Sequence, residues 1–467
     1  MLDFRPVLHV IGLLLATLGA AMLVPAVVDI FADNHDWQVF AAASVTTFFI
    51  GIGMFLSTRG APQDLDLRQA FLLTALSWAT IALFGALPFI YADMDLSVTD
   101  ALFESMSGIT TTGSTVITGL DTAPPGILMW RSLLQWMGGI GIIVMAVAVM
   151  PMLQVGGMQL FRMESSDNSE KILPRAAQIA GALALLYLGI TIVCIICLWA
   201  AGMTVFESVA HAMTSVATGG FSTSDQSIGH FNSATIDFIV TLFMVMGSLP
   251  FVLYLQALRG RTLLLWRDTQ LQWFFALATL AIFVMTMYRF FGDGVPILQA
   301  LRFTSFNIVS IMTGTGYSST DYGNWGGFAI GLFFLVMFVG GCAGSTSCGV
   351  KIFRIQVLIE TARRQIQQLL QPHGVFTPKY NDKPIPPSVR DAVMNFFFLF
   401  FGCFIVLALC LSAFGLDFIT AASGAGAAIA NVGPGLGDVI GPTGNFGTLP
   451  DGAKWFLMMG MLMGRLE

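Results

Sequence analysis

The sequence predicts an all-α polytopic membrane protein: four pseudo-symmetric repeats of span, half-helix, glycine-centred loop and span around a central pore, preceded by two extra transmembrane helices. Three observations predict it. Of 467 residues 56% are hydrophobic and only 10% are charged, whereas soluble domains carry roughly 25% charge. Apolar runs close to the ~20 residues that cross a bilayer recur along the whole chain. Between them, four uncharged Gly/Ser/Thr segments overlay on one glycine each, at Gly113, Gly220, Gly316 and Gly433, about a hundred residues apart.

The elements follow in order. Residues 1–66 hold two leading spans, near 7–32 and 37–57; the first is too long, and too poorly followed by a cleavage site, for a removed signal peptide. The first repeat, 67–155, has spans near 69–91 and 127–152, and the second, 172–260, has spans near 176–202 and 235–258. In the third, 268–371, the spans lie near 271–291 and 327–341, and in the fourth, 386–467, near 391–414 and 452–467. Within each repeat stands an apolar segment too short to cross: ALFESMSGI, VFESVAHAMTSV, LRFTSFNIVSI and FITAASGAGAAI. Such segments suit half-helices that enter the membrane and turn back. The last span stops at Glu467, so the final helix reads as truncated.

Charge orients these spans. With the N-terminus in the cytoplasm, most of the 21 Lys and Arg fall inside, including those of RMESSDNSEKILPR and of the loop from Arg354 to Arg390, while Arg131, Arg289, Arg302 and Lys454 fall outside. That distribution obeys the positive-inside rule. The outer segments are acid-rich, with Asp225, Asp321 and Asp438 each five residues beyond a key glycine. An acidic mouth concentrates cations. No basic patch with interleaved aromatics points to nucleic acid, and His9, His35, His211, His230 and His373 form no catalytic cluster. Cys194 and Cys197 spell CxxC inside lipid-grade helix, where a thiolate has no stabilising partner.

Glycine has a physical reason in these loops. Irregular backbone at membrane depth survives only where it is buried or lines a water-filled cavity. Four loops converging on an axis offer carbonyl oxygens to a dehydrating cation, as in potassium-channel filters, and glycine admits the positive φ that aims them inward. Pro434 stiffens the fourth loop by fixing φ. Glu104, His211 and Asn307 stand nine residues before their key glycines, placed to hold the loops from behind by hydrogen bonds. The segment GGCAGSTSCGVK interrupts the third repeat. It fails as a phosphate-binding loop, since Gly349 is followed by Val350 rather than lysine.

TTTGST, ATGGFSTSD, TGTGY and NVGPGLGD resemble the four filter loops of the Trk/Ktr/HKT superfamily of cation transporters, and within it the bacterial TrkH-type membrane subunit; the resemblance covers essentially the whole chain. It implies an ion path lined by Thr111, Thr112 and Gly113, by Thr218, Gly219 and Gly220, by Gly314, Thr315 and Gly316, and by Asn431, Val432 and Gly433, mainly through backbone oxygens. It implies an intramembrane gate below them, from Gly340, Gly341, Gly344, Ser345, Gly349 and Lys351, with Arg465 as a barrier to cations. Glycine at all four key positions favours potassium as the ion, with no organic cofactor. The resemblance further implies potassium uptake across the bacterial cytoplasmic membrane, a homodimer and a cytosolic TrkA-type nucleotide-binding regulator meeting the basic loop from Arg354 to Arg390. A sodium-selective or proton-coupled transporter on the same fold is the alternative.

Overall fold

A computed structural model describes residues 3–60, 66–148, 172–381 and 383–466. The charged segment with Arg162 and Lys171, the end of the first repeat expected at 155, and Glu467 lie outside the described residues.

The two leading helices form a pair. Helix α1 (Arg5–Ala21) opens on Pro6, which needs no N–H partner in the first turn, and runs on almost without break into α2 (Leu23–Phe31). Helix α3 (Trp37–Ser57) returns beside them. A Cβ added at Gly12, Gly19 or Gly51 would fall under 3.0 Å from the opposing helix backbone; these small residues therefore let α1 and α3 approach closely, the means by which helices associate in lipid. The pair packs against the first repeat, α1 on α4 (Leu67–Gly85) and α2 on α7 (Pro125–Ala148).

Each repeat then shows the same order. In the first, α4 and the short α5 (Leu87–Tyr91) lead to half-helix α6 (Val98–Ile109), a loop and α7. The second runs α8 (Ile172–Ala200), half-helix α9 (Val205–Val216), loop, α10 (Ala234–Ser248) and α11 (Phe251–Leu258). After the short α12 (Leu263–Arg267), the third runs α13 (Thr269–Asp293), half-helix α14 (Ile297–Met312), loop, α15 (Gly327–Val336) and, after an irregular stretch, α16 (Ile352–Leu370). A two-stranded hairpin, β1 (Lys379–Tyr380) with β2 (Lys383–Pro384), precedes the fourth. That repeat runs α17 (Pro387–Ala413), half-helix α18 (Phe418–Ala430), loop, α19 (Gly437–Ile440) and α20 (Asp451–Arg465).

Among the described residues seven helices are long and apolar enough to cross a membrane unaided. The span expected over 235–258 is instead broken, α10 and α11 meeting at 94°. Pro250 supplies no N–H and pushes Leu249 out of the helical region, to φ −91° and ψ 153°. The interruption of the third repeat is observed as expected, since α15 ends at Val336 and helix resumes at Ile352.

The half-helices are built to stop inside the protein. Ser97, Thr204 and Asp417 cap the N-termini of α6, α9 and α18 through side-chain acceptors. Almost every residue of α18 is buried. Each half-helix ends three or four residues before its key glycine, so four C-terminal ends, each carrying partial negative charge, point at the glycine loops.

Candidate functional site

The four loops share one backbone conformation. Two residues before each key glycine, Thr111, Thr218, Gly314 and Asn431 lie at φ 49°, 50°, 74° and 49°. The key glycines follow at 88°, 77°, 82° and 103°. Left-handed geometry at the β-branched Thr111 and Thr218 is strained by about 1–3 kcal/mol, and strain of this kind collects at functional sites.

The contacts close a ring. A Cβ at Gly113 would strike the Gly219 carbonyl oxygen, one at Gly220 the Thr315 carbonyl, one at Gly316 the Val432 carbonyl, and one at Gly433 the Thr112 carbonyl, each under 3.0 Å. Every key glycine therefore abuts the carbonyl one residue ahead of the key glycine in the next repeat, and the fourth returns to the first. Eight of the twelve residues expected along the ion path make these contacts, and Thr111, Thr218, Gly314 and Asn431 directly precede them in the chain. Val432, Thr112 and Thr315 are essentially unexposed, with their side chains turned into the protein.

Behind the ring, the polar residues of the half-helices hold the outgoing strands. Glu104 accepts from Val116 N–H at 2.9 Å and from the Thr115 hydroxyl at 3.0 Å. His211 Nε2 pairs with Ser222 Oγ at 3.0 Å, and Asn307 bonds both the Ser319 hydroxyl and its N–H. In the fourth repeat Gly424 stands at the matching place, and neighbouring Ser423 serves instead, accepting from Leu436 N–H at 2.8 Å. Reciprocal support also runs between repeats: Ser114 Oγ donates to the Gly433 carbonyl at 2.7 Å, and Asn431 Nδ2 to Thr112 Oγ1 at 2.8 Å.

Beneath the ring lies the 340–351 loop. Gly340, Gly344, Gly349 and Lys351 have positive φ, and a Cβ at Gly340 would strike the Cys348 carbonyl where the two limbs cross. The broken second span receives this loop. Cys342 N–H donates to the Ser248 carbonyl and Thr346 N–H to the Gly247 carbonyl, acceptors that the 94° bend leaves without helical partners. Ser345 closes a turn onto the Cys342 carbonyl, and Ser347 Oγ accepts Gly341 N–H at 2.9 Å within the loop and donates upward, to the Thr313 carbonyl at 2.6 Å. Thr218 Oγ1 meets Thr346 Oγ1 at 3.1 Å. Arg465, buried, donates to Cys348 Sγ on this loop and to Thr111 Oγ1 of the first glycine loop. The loop and Arg465 thus touch all four repeats directly below the ring.

Asp225 and Asp321 of the outer segments also anchor the loops: Asp225 accepts from Gly119 and Leu120 N–H, and Asp321 from Gly323 N–H. Two placements differ from the sequence reading. Arg354, expected in an exposed basic loop, is fully buried, stacks over the Phe396 ring at 3.7 Å and donates to the Val350 carbonyl. Arg131, expected among outer basic residues, is buried against Glu104 at 2.7 Å and donates to the Ser222 carbonyl at 2.8 Å. With Gln135, one turn on, it forms a polar face on α7 that reaches the second repeat. The signal was present: Arg131 and Gln135 are four residues apart in an otherwise apolar span, and polar groups so placed are expensive and usually functional.

A ring of carbonyls facing four helix C-termini can replace part of a cation's hydration shell. Among the described residues no group of His, Cys, Asp or Glu is arranged to hold a metal ion.

Known proteins agree with this geometry at full length. The chain is 45% identical over 465 residues, 99% of its length and 94% of the other's, to the Trk system potassium uptake protein TrkI of Halomonas elongata. It is 36% identical over 471 residues to the Trk system potassium uptake protein TrkH of Escherichia coli (strain K12), covering 100% of this chain and 97% of that one. The crystal structure of the potassium transporter TrkH from Vibrio parahaemolyticus superposes with a TM-score of 0.93 at 37% identity, covering 100% and 97% of the two chains. Residues 36–467 match the family model described as TrkH, cation transport protein. With four glycine loops closed into one ring inside a fold shared from end to end, the chain belongs to the TrkH family of cation transport proteins.

Proposed function

We propose that this protein takes up potassium across the bacterial cytoplasmic membrane, passing the ion through the ring at Thr112, Gly219, Thr315 and Val432 with their flanking key glycines. The observation that carries this reading is the closed set of four contacts, in which each key glycine meets the next repeat's carbonyl. The resident substrate is the potassium ion, held by backbone oxygens of residues 111–113, 218–220, 314–316 and 431–433. The 340–351 loop and Arg465 act as the gate, the loop closing the path from below and the guanidinium repelling cations. Their contacts with all four repeats support this role.

The N-terminus faces the cytoplasm, supported by the basic residues of the loops on the same side. On that side a cytosolic TrkA-type nucleotide-binding regulator would engage the exposed Arg363, Lys379 and Lys383, rather than buried Arg354. The working unit is a homodimer, the assembly implied by the resemblance of its four loops. Inward flux draws on the membrane potential, about 2.3 kcal/mol per charge per 100 mV.

Rubidium and sodium uptake in cells lacking their own potassium uptake tests the reading. The unmodified chain should support rubidium uptake well above sodium; sodium preference would overturn it in favour of a sodium-selective transporter. Gly113→Ser should lower the rubidium-to-sodium ratio, because its side chain has to enter the space of the Gly219 carbonyl.

A further inference from the structure

The four ring carbonyls are not held alike. In the first and third repeats the residue before the key glycine is threonine, and its hydroxyl pairs with a second threonine two residues earlier: Thr112 with Thr110 at 2.8 Å, and Thr315 with Thr313 at 2.7 Å. The second repeat has Ala217 and Gly219 at those places, so it has neither hydroxyl. Its carbonyl is held from another repeat. Gln135 of α7, fully buried, donates Nε2–H to the Gly219 carbonyl at 2.6 Å and accepts Phe221 N–H on Oε1 at 3.0 Å. The amide spans the key glycine, gripping the chain on both sides of it.

Two further observations give the glutamine this purpose. Gly138, Gly247 and Gly464 are matching points on α7, α10 and α20, since a Cβ at each would strike the carbonyl four residues before a key glycine: Ile109, Val216 and Ile429. Three residues before these points stand Gln135, Met244 and Met461, all fully buried. Packing is satisfied by methionine in the other two repeats, so the polar group at 135 answers a local need. In addition, a Cβ on Gly219 would collide with the Gln135 side-chain amide. Gly219 and Gln135 are a matched pair, the side chain of one filling the space the other lacks.

We infer that Gln135 is a positioning residue for ion selectivity: it fixes the direction of the Gly219 carbonyl in the ring. The inference rests on the proposed function of the ring. Selectivity depends on the number and field of the coordinating carbonyls, and a carbonyl free to tilt coordinates the wrong ion more readily.

Rubidium and sodium uptake, normalised to protein in the membrane, tests it in three variants. Gln135→Met, the residue of the matching positions, should leave rubidium uptake measurable and lower the rubidium-to-sodium ratio about two- to tenfold, the equivalent of one buried hydrogen bond. Gly219→Thr alone should cut rubidium uptake at least about tenfold through the collision with Gln135, and adding Gln135→Ala should restore most of it by vacating the space that the new side chain needs. An unchanged ratio in Gln135→Met, or a double variant no better than Gly219→Thr alone, would overturn the inference. The thermal midpoints of the purified variants follow the same cycle independently of transport. If the unmodified chain took up no rubidium, the proposed function would fall, and this cycle would still decide whether the two residues are coupled; no coupling would overturn the inference.

Discussion

Gly220 and Gly119 both lie in left-handed backbone, at φ 77° and 74°, yet their surroundings differ. A Cβ at Gly220 has nowhere to go but into the Thr315 carbonyl, whereas one at Gly119 meets only Thr122 Oγ1 at 3.8 Å. Gly220→Ala should therefore abolish rubidium uptake, while Gly119→Ala should keep it and lose about 1 kcal/mol of stability from backbone strain alone. Uptake beside thermal unfolding in detergent separates the two. Arg131 illustrates a different residue-scale effect. Its guanidinium neutralises Glu104 inside the protein and lies 4.1 Å over the Phe221 ring. Arg131→Met should destabilise by about 3 kcal/mol or more, because it strands a buried carboxylate, whereas the combined Arg131→Met and Glu104→Gln should recover part of that loss. A double variant no more stable than Arg131→Met would show that the pair's charge is not what matters.

At the scale of elements, the half-helices turn a membrane-depth helix end into a usable one. The N-termini of α6, α9 and α18 are capped by side chains, and all four C-termini remain open toward the ring. Asp417, N-cap of α18, has its carboxyl held below the ordinary carboxylate range by hydrogen bonds from the Thr420 side chain and N–H. A carboxylate depressed in the folded state stabilises it above the unfolded value and loses that effect as pH falls through the folded one. Asp417→Ala should cost about 0.5 kcal/mol at pH 7, the low end for an exposed cap, and the difference from the unmodified protein should vanish as pH drops below about 4. Melting curves over that range check the sign. The 340–351 loop is the complementary element. It exists at membrane depth because the bend between α10 and α11 exposes carbonyls that its own N–H groups require.

For the whole molecule, what matters is closure between quarters. Lys454 of α20 pairs with Asp100 of α6 at 2.5 Å, joining the last repeat to the first, and Arg302 of α14 pairs with Asp237 of α10 at 2.7 Å, joining the third to the second. Arg465 adds a link through the centre, tying the final helix to both Cys348 and Thr111. If Arg465 is the gate proposed above, Arg465→Ala should raise the rubidium uptake rate several-fold while preserving the rubidium-to-sodium ratio, since a positive charge impedes any cation alike. A changed ratio with an unchanged rate would place Arg465 among the selectivity groups instead.

The one-dimensional pattern determined a good deal. Hydropathy set most of the spans, because a backbone in lipid must satisfy its own hydrogen bonds, and the repeated glycines marked the loops, because φ near 80° beside a neighbouring carbonyl disfavours a side chain at those points. Spacing likewise placed Glu104, His211 and Asn307 behind the loops, and each makes a hydrogen bond to its own outgoing segment. Tertiary structure alone decided which carbonyl each glycine faces, that the second repeat borrows Gln135 from the first, and that Arg131 and Arg354 are buried rather than solvated. The physical reason is range. Hydropathy and backbone conformation are local properties legible along the chain, whereas the partner of a buried polar group is chosen by packing between residues some eighty or more positions apart.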